Sequence, residues 1–117
     1  MCGIAGIVDL HGKSPIDEGL LRRMTDVLAH RGPDDAGLYS DDPPGAPGLT
    51  LGHRRLAIID LSPEGHQPMA RGDLVVAYNG EVYNYLELRA ELAARGQRFE
   101  TESDTEVLLE IGRASCR

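Results

Sequence analysis

Cysteine is scarce in this chain: there are two among 117 residues, Cys2 and Cys116, at opposite ends. Two thiols so far apart make no disulfide framework and are read as free. Without a C-x-x-C pair neither has a resolving partner beside it, which argues against a thiol redox protein. Basic residues are also few. Twelve Lys and Arg against nineteen Asp and Glu leave a net charge of −7, with no basic stripe to displace the counterions of a nucleic acid. No apolar run approaches the ~18 residues of a membrane span. The first ten residues lack the basic segment and cleavage site of a secretory signal, so the chain is expected in the cytoplasm. The histidines at 11, 30, 53 and 66 show no metal-ligand spacing, and no G-x-x-x-x-G-K-[ST] loop offers a phosphate site. What remains is an acidic, globular chain of ordinary composition, 41% apolar and 26% charged. It is long enough for one core but small for an enzyme that handles two substrates.

Elements of α and β type alternate along it. The run from Gly3 to Leu10 reads as a buried strand that begins almost at the terminus. SPID then reads as a helix start, with Ser14 as N-cap and Pro15 at the first helical position. Ile16, Leu20, Met24 and Val27, with Leu21 and Leu28 beside them, would form its buried face until HRGPD stops it. AGLYS is a short strand, and DDPPGAPG a loop rich in proline and glycine. LTLGHRRLAIIDL is extended, its half LAIID having the continuous, β-branched look of a strand buried on both sides. SPEGHQPM is a loop, DLVVAYNG a buried strand, and YLELRAELAARG an amphipathic helix whose Gly96 suits the C′ position. QRFETE is a candidate strand. A final helix starts at SDTEVLLEI with a capping box from Ser103 to Glu106.

Chemistry points first to Cys2. A thiolate is the reactive form, so a cysteine of pKa about 8.5 needs a base nearby. Removal of Met1 would expose an α-amino group that titrates near about 7.7–8.0, and nucleophile and base would then share one residue. The alternative is a small buried residue of no function. YNGEVYN is the second candidate. Asn-Gly favours a hairpin turn, yet here it is followed by a helix, so polar groups collect where a strand ends. Asn79 offers a side-chain amide and Gly80 an approachable N–H, together a cradle for an oxyanion, with the charge of Glu81 beside them. In HRRL, Arg54 or Arg55 faces inward and suits a carboxylate, or the two form a surface pair on a strand edge. Asp104 heads a helix, where the dipole favours it in any case.

MCGIAGIVDL, HRGPDDAG, LGHRRLAIIDLSPEGHQPM, YNGEVYNYLELRAEL and SDTEVLL, in this order and spacing, closely resemble the glutamine amidotransferase domain of the asparagine synthetase B family, over residues 1 to about 110. The resemblance implies an α+β fold, the αββα sandwich of N-terminal nucleophile hydrolases, of which this chain would hold an incomplete N-terminal portion. It implies that Cys2, as mature N-terminus, attacks the glutamine side-chain amide. Asn79 and Gly80 would form the oxyanion hole, Arg55 would bind the substrate α-carboxylate, and Glu81 and Asp104 would hold its α-ammonium. Arg55 is preferred to Arg54 because the family pattern is His, a variable residue, Arg, Leu. Arg31 resembles a fixed structural arginine near the site.

The same resemblance implies partners. Ammonia would pass to a C-terminal synthetase domain that uses ATP and magnesium to amidate aspartate; no cofactor is expected in this chain itself, and a homodimer is left open. EIGRASCR breaks the family pattern, so residues 111–117 are expected to be a truncation or scar, and Cys116 is given no role. Two further readings stand beside this one: a catalytically incompetent binding or assembly module, and the amidotransferase of a related enzyme with another acceptor.

Overall fold

The computed structural model describes residues 1–115; Cys116 lies outside them. Three antiparallel strands form the main sheet: β1 (Gly3–Asp9), β2 (Asp35–Asp41) and β3 (Gly48–Arg55), in the order β1-β3-β2. Register runs from Gly3 opposite Arg54 to Asp9 opposite Gly48, and from Asp35 opposite Arg55 to Asp41 opposite Leu49. Because side chains alternate along a strand, Gly52 and Arg54 share one face of the central strand while His53 and Arg55 share the other.

Helix α1 (Glu18–Val27) covers the first of these faces. Its cap is Asp17, whose carboxylate accepts the Leu20 N–H at 3.0 Å, and not Ser14. The later start has a cause upstream: the Ile16 N–H is held by the Asp42 carboxylate at 2.7 Å, which keeps Ser14 and Pro15 out of the helix. The buried face also differs from the expected one. Leu21 and Thr25 are buried, whereas Leu20, Met24 and Val27 are exposed. Glycine decides this contact. A side chain at Gly52 would run into Thr25, and one at Gly3 would meet Leu28 Cβ at 2.8 Å, so the helix closes on the sheet through Thr25 and Leu28. Only one face of β1 is covered in consequence, and Ile4 and Val8 on the other remain exposed.

A second unit is built on the hairpin of β4 (Met69–Arg71) and β5 (Leu74–Val76), turned at Gly72 with φ +57°. Helix α3 (Asp104–Ser115) packs on this hairpin, and α2 (Tyr85–Ala94) packs on α3. Gly96, at φ +94°, ends α2 in the left-handed conformation expected of a C′ glycine. The whole is a slab of 45 × 35 × 18 Å.

Two expected strands are absent. Residues 56–60, LAIID, form no strand, and Ile58 is exposed. Their backbone is claimed by side chains: the Leu56 N–H by the Cys2 sulfur, the Ala57 N–H by Asp34 and the Asp60 carbonyl by Arg55. QRFETE is likewise irregular, because Glu106 takes the N–H groups of Glu100 and Thr101 at 2.9 and 2.7 Å. That also dissolves the capping box. Ser103 caps Thr105 N–H at 3.1 Å, but Glu106 turns to Thr101 and not to Ser103.

Candidate active site

Cys2 stands one residue before β1, so the register that sets Gly3 opposite Arg54 brings Cys2 opposite Arg55. Nucleophile candidate and guanidinium therefore rise from the same face of the sheet. The Cys2 sulfur accepts the Leu56 N–H at 3.3 Å and the thiol reaches the Leu56 carbonyl at 3.8 Å. Arg31 donates from Nε to the Cys2 carbonyl at 3.1 Å, which secures the terminal peptide from the opposite side.

Arg55 is buried, and its guanidinium donates to the carbonyls of Ser62 (2.8 Å) and Asp60. Gly65 lies so close to the guanidinium that any side chain there would collide with it. The segment after β3 thus wraps around Arg55 and fixes its plane. Arg54 points the other way, to the Gly32 carbonyl at 3.1 Å and, at 3.9 Å, to Asp26. Burial pushes the Asp60 carboxyl upward, but hydrogen bonds from Ser62 and the charge of Arg55 outweigh it and hold the group below the usual range.

Asn79, Gly80 and Glu81 follow β5 on the way to α2, and neither Asn79 nor Gly80 has the positive φ of a type I′ hairpin turn. Among the described residues no protein hydrogen bond engages the Asn79 amide or the Glu81 carboxylate, so both are available to a ligand. A side chain at Gly80 would meet the Tyr78 hydroxyl at 2.7 Å. Asp104, the first residue of α3, accepts the Val82 N–H at 2.8 Å and so ties the helix to this loop. Burial, then the nearby charge of Asp104, pushes the Tyr78 phenol upward, and it stays protonated at neutral pH.

All six residues singled out from the sequence, Cys2, Arg55, Asn79, Gly80, Glu81 and Asp104, line one open pocket. Sequence reasoning missed several of its other walls, including Gln67, Tyr78 and Thr105. Tyr78 was legible as the neighbour of Asn-Gly; Gln67, inside a loop of prolines, carried no such signal. Among the described residues no cluster of His, Cys, Asp and Glu is placed to hold a metal ion, and no helix is long and apolar enough to cross a membrane.

Comparison with known proteins agrees on one family. The family model described as "Glutamine amidotransferase domain" matches residues 1–115. Two relatives from Bacillus subtilis (strain 168) are similar over 93% of this chain: asparagine synthetase [glutamine-hydrolyzing] 3, 47% identical, and asparagine synthetase [glutamine-hydrolyzing] 1, 43% identical. In each case the chain spans 17% of the relative's length. With nearly its whole length matched, and with the pocket drawn from both ends of that match, the chain belongs to the glutamine amidotransferase domain family.

Proposed function

We propose that this chain hydrolyses the side-chain amide of glutamine, with Cys2 as nucleophile. The observation that carries the reading is the single pocket that gathers a half-buried thiol, a buried guanidinium, two carboxylates and an Asn-Gly pair. An amino acid has complementary ends: its carboxylate suits the Arg55 fork, and its ammonium suits Glu81 and Asp104. Held at both ends, a substrate has little orientational freedom left to lose, which is worth several kcal/mol.

Met1 must first be removed, because its peptide bond makes the Cys2 nitrogen an amide and not a base. The freed α-amine takes the thiol proton as sulfur attacks the amide carbon. The Asn79 side-chain amide and the Gly80 N–H then receive the charge that develops on oxygen. Collapse breaks the C–N bond, the α-ammonium returns its proton, and ammonia leaves a thioester on Cys2. Water cleaves that thioester to glutamate and restores the thiol, so one glutamine and one water give one glutamate and one ammonia.

In the longer relatives this domain is joined to other sequence, and we assign the ammonia to an ATP- and magnesium-dependent amidation of aspartate in a C-terminal synthetase domain. We also assign the chain to the αββα sandwich of N-terminal nucleophile hydrolases, of which it would hold an α1-covered sheet and an α3-covered hairpin. Intact mass spectrometry after exposure to a diazo-ketone analogue of glutamine tests the reading. Loss of Met1 and a single adduct on Cys2 are expected. An adduct on Cys116, or none on a folded protein that lacks Met1, refutes it, and a binding or assembly module becomes the better account.

A further inference from the structure

Gln67 supplies none of the groups assigned above, yet it is 5% exposed and its amide touches both halves of the pocket. The Tyr78 N–H, one residue before Asn79, is bonded to Oε1 at 2.7 Å. An N–H can only donate, so the atom facing it must be the amide oxygen, and this fixes which way the amide points. Nε2 then donates to Thr105 Oγ1 at 3.1 Å, one residue after Asp104. A single planar group thus serves an acceptor role on the Asn79 side and a donor role on the Asp104 side. Tyr78 is held from a second direction as well. Its carbonyl accepts from His53 Nε2 at 3.0 Å, so both backbone groups of the residue ahead of Asn79 are tied to buried side chains.

We propose that Gln67 is a positioning residue of the glutamine site: its side-chain amide couples the segment that carries Asn79 and Gly80 to the start of α3 that carries Asp104. It thereby fixes the span between the oxyanion donors and the ammonium clamp, the distance on which the reaction geometry depends. This inference rests on the glutamine-hydrolysis reading. Loss of the brace leaves the pocket walls in place but lets two donor sets drift against each other, and a drift of about 1 Å costs on the order of 100-fold in rate.

The test compares the wild-type chain with Gln67→Met, close in shape but without the hydrogen bonds, and with Gln67→Glu. In Glu an oxygen still accepts from Tyr78 and the Thr105 hydroxyl can turn to donate. Labelling of Cys2 by the diazo-ketone analogue is resolved into a saturating rate and a half-saturation concentration, beside alkylation by iodoacetamide and thermal unfolding. Gln67→Met is expected to lower the saturating rate by about 10- to 100-fold, while iodoacetamide alkylates Cys2 at an unchanged rate; Gln67→Glu restores most of the loss. Thr105→Val, which removes one bond only, raises the half-saturation concentration and decides the matter if Gln67→Met does not fold. Wild-type labelling kinetics in Gln67→Met, or in Thr105→Val, overturn the positioning role and leave the glutamine reading intact. A fall in iodoacetamide reactivity and melting temperature in step with analogue labelling also overturns it, since that is a purely structural loss. A wild-type chain that is folded, lacks Met1 and still does not label removes the glutamine reading itself and this inference with it.

Discussion

Cys2 and Leu56 are joined twice, by the Leu56 N–H on sulfur at 3.3 Å and by the thiol on the Leu56 carbonyl at 3.8 Å. Main chain just past the end of β3 therefore holds the sulfur at the pocket, where a mobile side chain would let it swing away. Cys2→Ser keeps an atom that can accept the same N–H, so stability should change by less than about 1 kcal/mol. Glutamine hydrolysis and analogue labelling should fall by at least about a thousandfold, as for other residues that form the covalent intermediate. Urea unfolding and intact mass report the two effects separately; retention of labelling in the serine variant contradicts the assignment.

Asn79 presents the reverse situation, an exposed side chain with no hydrogen bond from the protein among the described residues. Asn79→Ala should leave stability within about 0.5 kcal/mol of wild type. If the amide donates to the oxyanion, kcat drops by roughly 10²–10³, or about 2.7–4 kcal/mol in the barrier, with KM little altered. Steady-state kinetics with glutamine check this. A rise in KM with kcat intact would move Asn79 from oxyanion donor to ground-state binder.

The candidate site was legible in part from local signatures, a cysteine before a strand and Asn-Gly before a helix; the choice of Arg55 over Arg54 and the parts given to Glu81 and Asp104 came from the family resemblance. Strand β3 and the end of helix α2 were legible for the same reason, since apolar runs and the Gly96 cap are local; the amphipathic face expected of α2 is absent, with Leu92 its one buried residue. The rest was decided at long range. LAIID has the composition of a strand, but Cys2, Asp34 and Arg55 bind its backbone groups before another strand can. QRFETE loses its pairing groups to Glu106 in the same way. The buried face of α1 is set by Gly3 and Gly52, on strands far from it in sequence. Gln67 escaped notice because its role exists only once Tyr78 and Thr105 are brought to either side of it.

Arg55 and Arg54 offer a matched pair of substitutions. Arg55→Lys replaces a fork that donates to two carbonyls with a single ammonium and leaves a buried acceptor unpaired. A cost of about 1–3 kcal/mol follows, and KM for glutamine should rise at least about tenfold because bidentate capture of the carboxylate is lost. Arg54→Lys acts on the opposite face, where the 3.9 Å contact to exposed Asp26 contributes little. Its KM should not move. Equal KM effects from the two variants would mean that Arg55 does not meet the substrate.

Glu106 and His53 give the fold two distinct acid windows. Glu106 is fully buried, and burial alone pushes its carboxyl upward. Four hydrogen bonds outweigh that: from the Thr101 hydroxyl (2.6 Å), the N–H groups of Glu100 and Thr101, and Arg71 at 3.1 Å. Its folded pKa is thus below the unfolded one, so the unfolded chain binds the proton first as pH falls. Stability from Glu106 is therefore present at neutral pH and lost below about pH 4.5. His53 is lowered chiefly by burial and further by the charge of Arg55, with its bond to the Tyr78 carbonyl opposing. The unfolded histidine takes its proton first as well, and this contribution begins to fade below about pH 6.5. Glu106→Gln should cost about 2–3 kcal/mol at pH 7, because its NH₂ would face N–H donors. That difference from wild type should shrink as pH drops below about 4.5 while the shallower loss from pH 6.5 persists in both proteins. Urea unfolding at pH 7, 5.5 and 4 separates the windows; a wild-type advantage that stays constant from pH 7 to 4 would show that the buried carboxylate is not the group being titrated.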